Sequence, residues 1–328
     1  MIRFVGTRLL QAAFVMLAVS LIAFSLFRFV GDPIAQMVGQ ETSIEDQERL
    51  RESLGLNDPM PVQFARFAGN MVRGEFGFSF RTREPIGEMI KQRLPATLEL
   101  SLVSLLISLA IGIPAGAYTA IRRGSPGAAA VLLVSLVGVS VPTFVIGIAL
   151  IYVFGVELGW LPTFGRGEVV SIGGWTTGLM TISGLKALIM PAMTLAVYQL
   201  TLTMRLVRSE MLEILRSDHI RFAEARGLAP AAIHFRHGLR GSLVPVVTIV
   251  GLQLGGIIAF SVVTESVFQW PGMGLLFLES IRFVDIPVMS VYLVIVAALF
   301  VVINLVVDIT YFAIDPRIRV GGKQEGDG

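Results

Sequence analysis

Six stretches of this chain are each apolar over about the 20 residues a helix needs to cross a bilayer, and that repetition rules out almost every water-soluble fold. They run from Leu9 to Val30, Ala96 to Ala120, Ala128 to Phe154, Ala187 to Met204, Leu243 to Thr264 and Val291 to Ala313. Composition agrees: 54% of the 328 residues are hydrophobic and 15% charged, against about 25% charged in soluble domains. The pattern predicts an all-α integral membrane protein with six transmembrane helices. The first stretch follows Arg3 and Arg8 as a signal peptide would. Its apolar run exceeds the usual length of about 7–15 residues and no small-x-small cleavage site follows, so it is read as a retained anchor.

Basic residues set the expected topology. The N-terminus, the Arg122-Arg123 turn, the Arg205–Gly241 loop and the tail hold 14 of the 26 Lys and Arg. The two shorter loops on the other side hold only Arg166, Lys186 and Arg282. This asymmetry places both termini and the basic loop in the cytoplasm. The 31–95 segment is then external, and long loops are largely exempt from the charge rule. Within it, Ser43 through Asp46 reads as a helix cap, Gly55 as that helix's end, and Pro61 and Pro85 as openings of two more. The expected organisation is 1–30 for the N-terminus and first span and 31–95 for an external helical segment. A five-helix core follows at 96–313, with the cytoplasmic basic loop at 205–241 between the fourth and fifth spans, then a polar tail at 314–328.

Much chemistry is excluded. The chain has no cysteine, so disulfides, thiolate metal sites and cysteine nucleophiles are absent. All three histidines, His219, His234 and His237, fall in the basic loop, so no span carries a histidine-dependent hydrolytic site. The only lysines are Lys91, Lys186 and Lys323, none in a phosphate-binding Gly-rich loop. Glu99 and Asp308 lie within the second and sixth spans, where a charge costs several kcal/mol, roughly 2.5–3.5 at the centre. Both lie near a span end, and hydrogen bonding between helices is the favoured role. Asn304, one turn before Asp308, is a candidate partner. Gly112 and Gly116, and Gly251 and Gly255, allow close helix approach.

The basic loop carries the most specific pattern. From Arg221 to Pro245 it reads as a helix, a glycine break and a short second helix. Gly227 suits the left-handed residue that follows a helix, and Pro230 suits the first turn of the next. Topology alone requires no such element.

With these residues the chain resembles the dipeptide/oligopeptide/nickel permease family of binding-protein-dependent ABC importers. Gly31-Asp32-Pro33, Leu54 through Pro59, Gly74 through Ser79 and Arg93 through Glu99 are similar to its early motifs. Ala225-Arg226-Gly227-Leu228 and His237 through Arg240 resemble its coupling loop, and Thr264 through Gly274 and Asp315 through Arg319 its late motifs. Counting back from Gly227 puts Arg221-Phe222-Ala223 where importers in general carry Glu-Ala-Ala, so a glutamate's role is not inherited.

The resemblance implies half of a translocation pathway for peptides or a similar solute, with ATP hydrolysed on partner subunits rather than here. It implies a second homologous permease, two ATP-binding subunits, an external solute-binding protein and surrounding membrane lipid, in a bacterial or archaeal cytoplasmic membrane. It implies no cofactor and no nucleic-acid partner. Coupling would rest on Arg221, Ala223, Ala225, Gly227, Leu228, Pro230, Ile233, His237 and Arg240, with the Leu228–His237 helix as a rigid lever. A self-sufficient channel or ion-coupled secondary carrier is the alternative. It would need polar residues along several spans or inverted repeats.

Overall fold

The computed structural model describes residues 2–29, 34, 43–53 and 55–314. The Gly31-Asp32-Pro33 motif, the Asp315–Arg319 motif and the tail lie outside the described residues. The helices are α1 (Ile2–Phe29), α2 (Ile44–Ser53), α3 (Met60–Arg73), α4 (Ile86–Ile121), α5 (Pro126–Ser140) and α6 (Thr143–Leu150). They continue with α7 (Ile182–Ile214), α8 (Asp218–Ala225), α9 (Arg240–Val267), α10 (Met273–Arg282) and α11 (Ile286–Ile314). Strands β1 (Val170–Ile172) and β2 (Trp175–Thr177) form a hairpin, and wider π-helical turns run from Ile151 to Glu157 and from Ala232 to Leu239.

Helices α1, α4, α7, α9 and α11 each contain a run long and apolar enough to cross a membrane. The expected third span, 128–154, is bent: α5 and the helix Thr143–Glu157 meet at 105°. The cause is Pro142, which has no N–H to continue the ladder and drives the residue before it out of the helical region. Val141 accordingly sits at φ −90°, ψ 128°.

Local signals act where expected. The Ser43 hydroxyl accepts from the Asp46 N–H at 3.1 Å, and Gly55 follows α2 with φ +64°. Pro61 lies in the first turn of α3, and Pro85 directly precedes α4. The Ser125 hydroxyl caps α5 by accepting from the Ala128 N–H at 3.2 Å.

The chain forms two compact units that divide the expected 96–313 core. One comprises Met1–Ala96, Ser171–Thr176 and Pro271–Val302. Its core gathers Ile86, Ile90, Met273, Leu276, Val288, Val291 and Tyr292, with Phe277 stacked on Tyr292 at 4.3 Å. The buried Asp285 carboxylate accepts from the Ser79 hydroxyl and from the Phe80 N–H at 3.1 Å. Asp285 thereby pins the turn before α11, where Val284 is held at φ +55°, a conformation costly for a β-branched residue.

The other unit comprises Thr97–Val170, Thr177–Trp270 and Ile303–Gly328. Here α7 packs against α5, α6 and α9. The small residues of α4 let it approach α7 closely. A Cβ on Gly112 would stand 3.0 Å from the Leu200 carbonyl oxygen, and one on Gly116 2.7 Å from that of Met204. Gly251 of α9 is as crowded, with Val307 2.5 Å from the position of such a Cβ. Gly112, Gly116 and Gly251 therefore serve packing.

Candidate functional site

The Arg205–Gly241 loop opens on the end of α7, which stays helical through Ile214. The chain then turns at Leu215 and Arg216, and α8 starts after Ser217, with Asp218 in the first turn. An acidic residue there complements the positive helix end. Gly227 adopts φ +77°. Its N–H donates to Glu224 O at 2.9 Å and that of Leu228 to Ala223 O at 3.2 Å. These two bonds are the Schellman pair that ends a helix at a left-handed residue.

The second helix departs from expectation. It opens at Pro230, widens from Ala232 to Leu239 and passes without a break into α9. Arg240 has helical angles of φ −58°, ψ −40°, so no separate Leu228–His237 helix exists. Neither Gly238 nor Gly241 takes a positive φ. Gly238 instead packs on Leu215 and Met211 of the preceding turns, and Gly241 on Ile214. These glycines permit close packing; they do not end a helix.

Exposure sorts the candidate residues. Arg221, Ala225, Gly227, Pro230 and Arg240 are exposed, while Ala223, Leu228 and His237 are half-buried. Ile233 is buried and, with Ile220 and Met211, belongs to the packing beneath the loop. The first six residues from Arg221 to Pro230 share one elbow; Ile233, His237 and Arg240 lie on the helix leading into α9. Two residues outside the expected set stand out: Phe222 is 65% and Phe235 57% exposed. The Arg226 guanidinium lies 5.7 Å from the Phe222 ring. Helix α8 thus presents an aromatic and cationic knob on a buried Ile220 anchor.

The intramembrane acid Glu99 is buried, and its partners come from a loop rather than a neighbouring helix. It is ion-paired with Arg166 and accepts from the Thr177 hydroxyl at 3.0 Å. The N–H groups of Gly178 and Leu179 donate to it at 3.1 and 3.0 Å. Arg166 also lies 5.9 Å from the Trp270 ring. This post fastens the loop after α6 to α4. A second buried acid, Glu265 of α9, accepts from Thr97 at 2.6 Å and Ser261 at 3.0 Å. Its place in the Thr264–Gly274 motif was visible, but nothing local marked it as a cross-link to α4. Asn304 and Asp308 are half-buried along α11.

Comparison with known proteins bears directly on this arrangement. The family model described as binding-protein-dependent transport system inner membrane component matches residues 112–320. The model for the N-terminal part of such membrane components matches residues 1–101. The chain is 36% identical to the dipeptide transport system permease protein DppB of Alkalihalophilus pseudofirmus, across 97% of this chain and 100% of that one. It is 40% identical to the oligopeptide transport system permease protein AppB of Bacillus subtilis, again across 97% and 100%. In fold it is similar to a chain of the MetNI methionine ABC transporter, with TM-score 0.56 and 21% identity over 71% of this chain and 99% of that one.

Proposed function

We propose, from the premise that this chain belongs to the binding-protein-dependent transport family of inner membrane components, that it carries peptides and is driven through the α8 knob. The chain is a multi-pass permease subunit of an ABC importer, not an enzyme, and works with ATPase and substrate-binding partners. A peptide cargo is supported by the relatives named for dipeptide and oligopeptide transport. The proposed assembly pairs this chain with a second homologous permease above two ATP-binding subunits, with both termini and the basic loop cytoplasmic. The self-sufficient channel or ion-coupled carrier is not favoured, since the relatives are permease subunits of transport systems.

One observation carries the coupling proposal: α8 is capped rigidly at Gly227 and followed by a helix that runs unbroken into α9. In this reading ATP closes the two ATPases around the Phe222–Arg226 surface, and displacement of the knob passes as a rigid-body shift into the bundle. ATP drives the change only through its differential affinity for the two states.

Gly227→Pro tests this, because proline has no N–H for Glu224 O and cannot adopt a positive φ. Reconstituted with its partners, the variant should insert and assemble, yet lose stimulation of ATPase activity by peptide-loaded binding protein. Unchanged stimulation would refute the lever. Separately, vesicles holding this chain alone should accumulate no labelled dipeptide; accumulation there would restore the carrier reading.

A further inference from the structure

We infer that the groove between α5 and the loop end of α7 is a binding site for one anionic glycerophospholipid of the leaflet on the basic-loop side. A recess of about 680 Å³ opens there, walled by Leu132, Leu133 and Leu136 of α5 and by Arg205, Arg208 and Ser209 of α7. That volume is in the range of small-ligand sites, about 300–1,000 Å³. Leu133 and Leu136 are 65% and 48% exposed, so the apolar wall is open.

The two arginines are three residues apart and share one face of α7. Among the described residues neither has a carboxylate within 4.0 Å. Arg205 and Arg208 instead meet an apolar wall.

The order of groups along the groove selects the occupant. The Thr201 hydroxyl donates to Ser135 O at 3.2 Å, which fixes the register of the two antiparallel helices. Arg205 therefore lies one turn, about 6 Å, nearer the loop than Thr201, while Leu136 lies at the level of Thr201. Cationic groups and a hydroxyl stand at the mouth, with branched apolar side chains deeper. A phosphodiester headgroup with an acyl chain has the same order, and basic pockets between membrane helices recognise such headgroups. The long arginine side chains can reach the headgroup level from an apolar wall. A neighbouring membrane helix would have to bring its own acids to that depth, and a soluble partner would not reach Leu136.

The test uses the assembled importer in phosphatidylcholine nanodiscs with and without phosphatidylglycerol, examined by native mass spectrometry. One phosphatidylglycerol should stay bound per copy of this chain, and inorganic phosphate should not displace it. Arg205→Gln with Arg208→Gln should weaken its retention roughly tenfold or more, as expected for losing two basic contacts with an anionic headgroup. Arg205→Lys with Arg208→Lys, which keeps the charge, should retain most of it and so control for misfolding. A photo-crosslinker at Leu133 should label lipid. The proposal is overturned if the double Gln variant holds the lipid as tightly as the unmodified chain. It is also overturned if free phosphate competes, or if Leu133 crosslinks to another polypeptide.

Discussion

The Glu99 post and the α8 elbow are built from similar residues and treat them in opposite ways. Around Glu99, an acid, an arginine, a threonine and two backbone N–H groups converge until the carboxylate is saturated with donors. At the elbow, Arg221, Arg226, Phe222 and Phe235 stand exposed. Among the described residues their contacts are local, such as Arg221 to Asp218 at 3.4 Å on the same helical face. Charges inside the bundle must be paired because an unpaired ion there is costly. Charges and rings at the elbow remain available to a second protein. A residue's chemistry therefore says little until its surroundings say whether the chain has already used it.

The largest effect should come from breaking the saturated side. Arg166→Ala leaves Glu99 buried without its counter-ion, a situation that costs about 3–5 kcal/mol. The midpoint of unfolding in a denaturing-detergent titration should fall sharply. Glu99→Gln combined with Arg166→Met removes both charges and keeps an acceptor for Thr177, Gly178 and Leu179. It should recover most of the loss, since replacing an ion pair by neutral residues is often close to neutral. If the double variant is as unstable as the single, the post is not held by charge pairing.

A smaller effect probes the packing that surrounds the posts. Gly116→Leu places a side chain where even a Cβ would stand 2.7 Å from the Met204 carbonyl and from Val207 Cβ. Backbone cannot yield there as a flexible side chain would, so overpacking should cost about 1–3 kcal/mol. The same titration measures it. A stability within error of the unmodified chain would mean that α4 and α7 are not in tight register.

Some of this contrast was legible in the residues and some was not. The five apolar helices that membrane-length runs mark among the described residues, the cap at Ser43 and the glycine break at 227 follow from local rules, because hydropathy and left-handed caps depend on neighbours in sequence. The bend at Pro142 was missed because both halves are equally apolar, and an apolar run measures length rather than direction. The signal was present in the Val141-Pro142 pair. The partners of Glu99 could not be read, since Arg166 is 67 positions away and nothing local announces the pairing. Phe222 and Phe235 carry no local signal of exposure, since aromatic residues on a short helix ordinarily face a core. The second helix, expected over Leu228–His237, instead continues into α9, with Gly238 and Gly241 as spacers where the chain packs closely.

The smallest stability effect belongs to the unsaturated side, and there the comparison is tested most directly. Phe222 is 65% exposed and is not among the buried residues of α8, of which Ile220 is the anchor. Phe222→Ala should therefore shift stability by no more than about 0.5 kcal/mol, the usual range for surface changes. Binding hot spots are aromatic or arginine side chains that a partner buries. If Phe222 is one, the same variant should co-purify less ATPase and lose most peptide-stimulated hydrolysis. Ile220→Ala should do the reverse in sequence, lowering stability first and coupling only as a consequence. Should Phe222→Ala destabilise the chain as Ile220→Ala does, the ring is structural and the elbow is no different in kind from the Glu99 post. Should it leave both stability and coupling intact, the contact with the ATPase lies elsewhere on the loop, and Phe235 becomes the next residue to truncate.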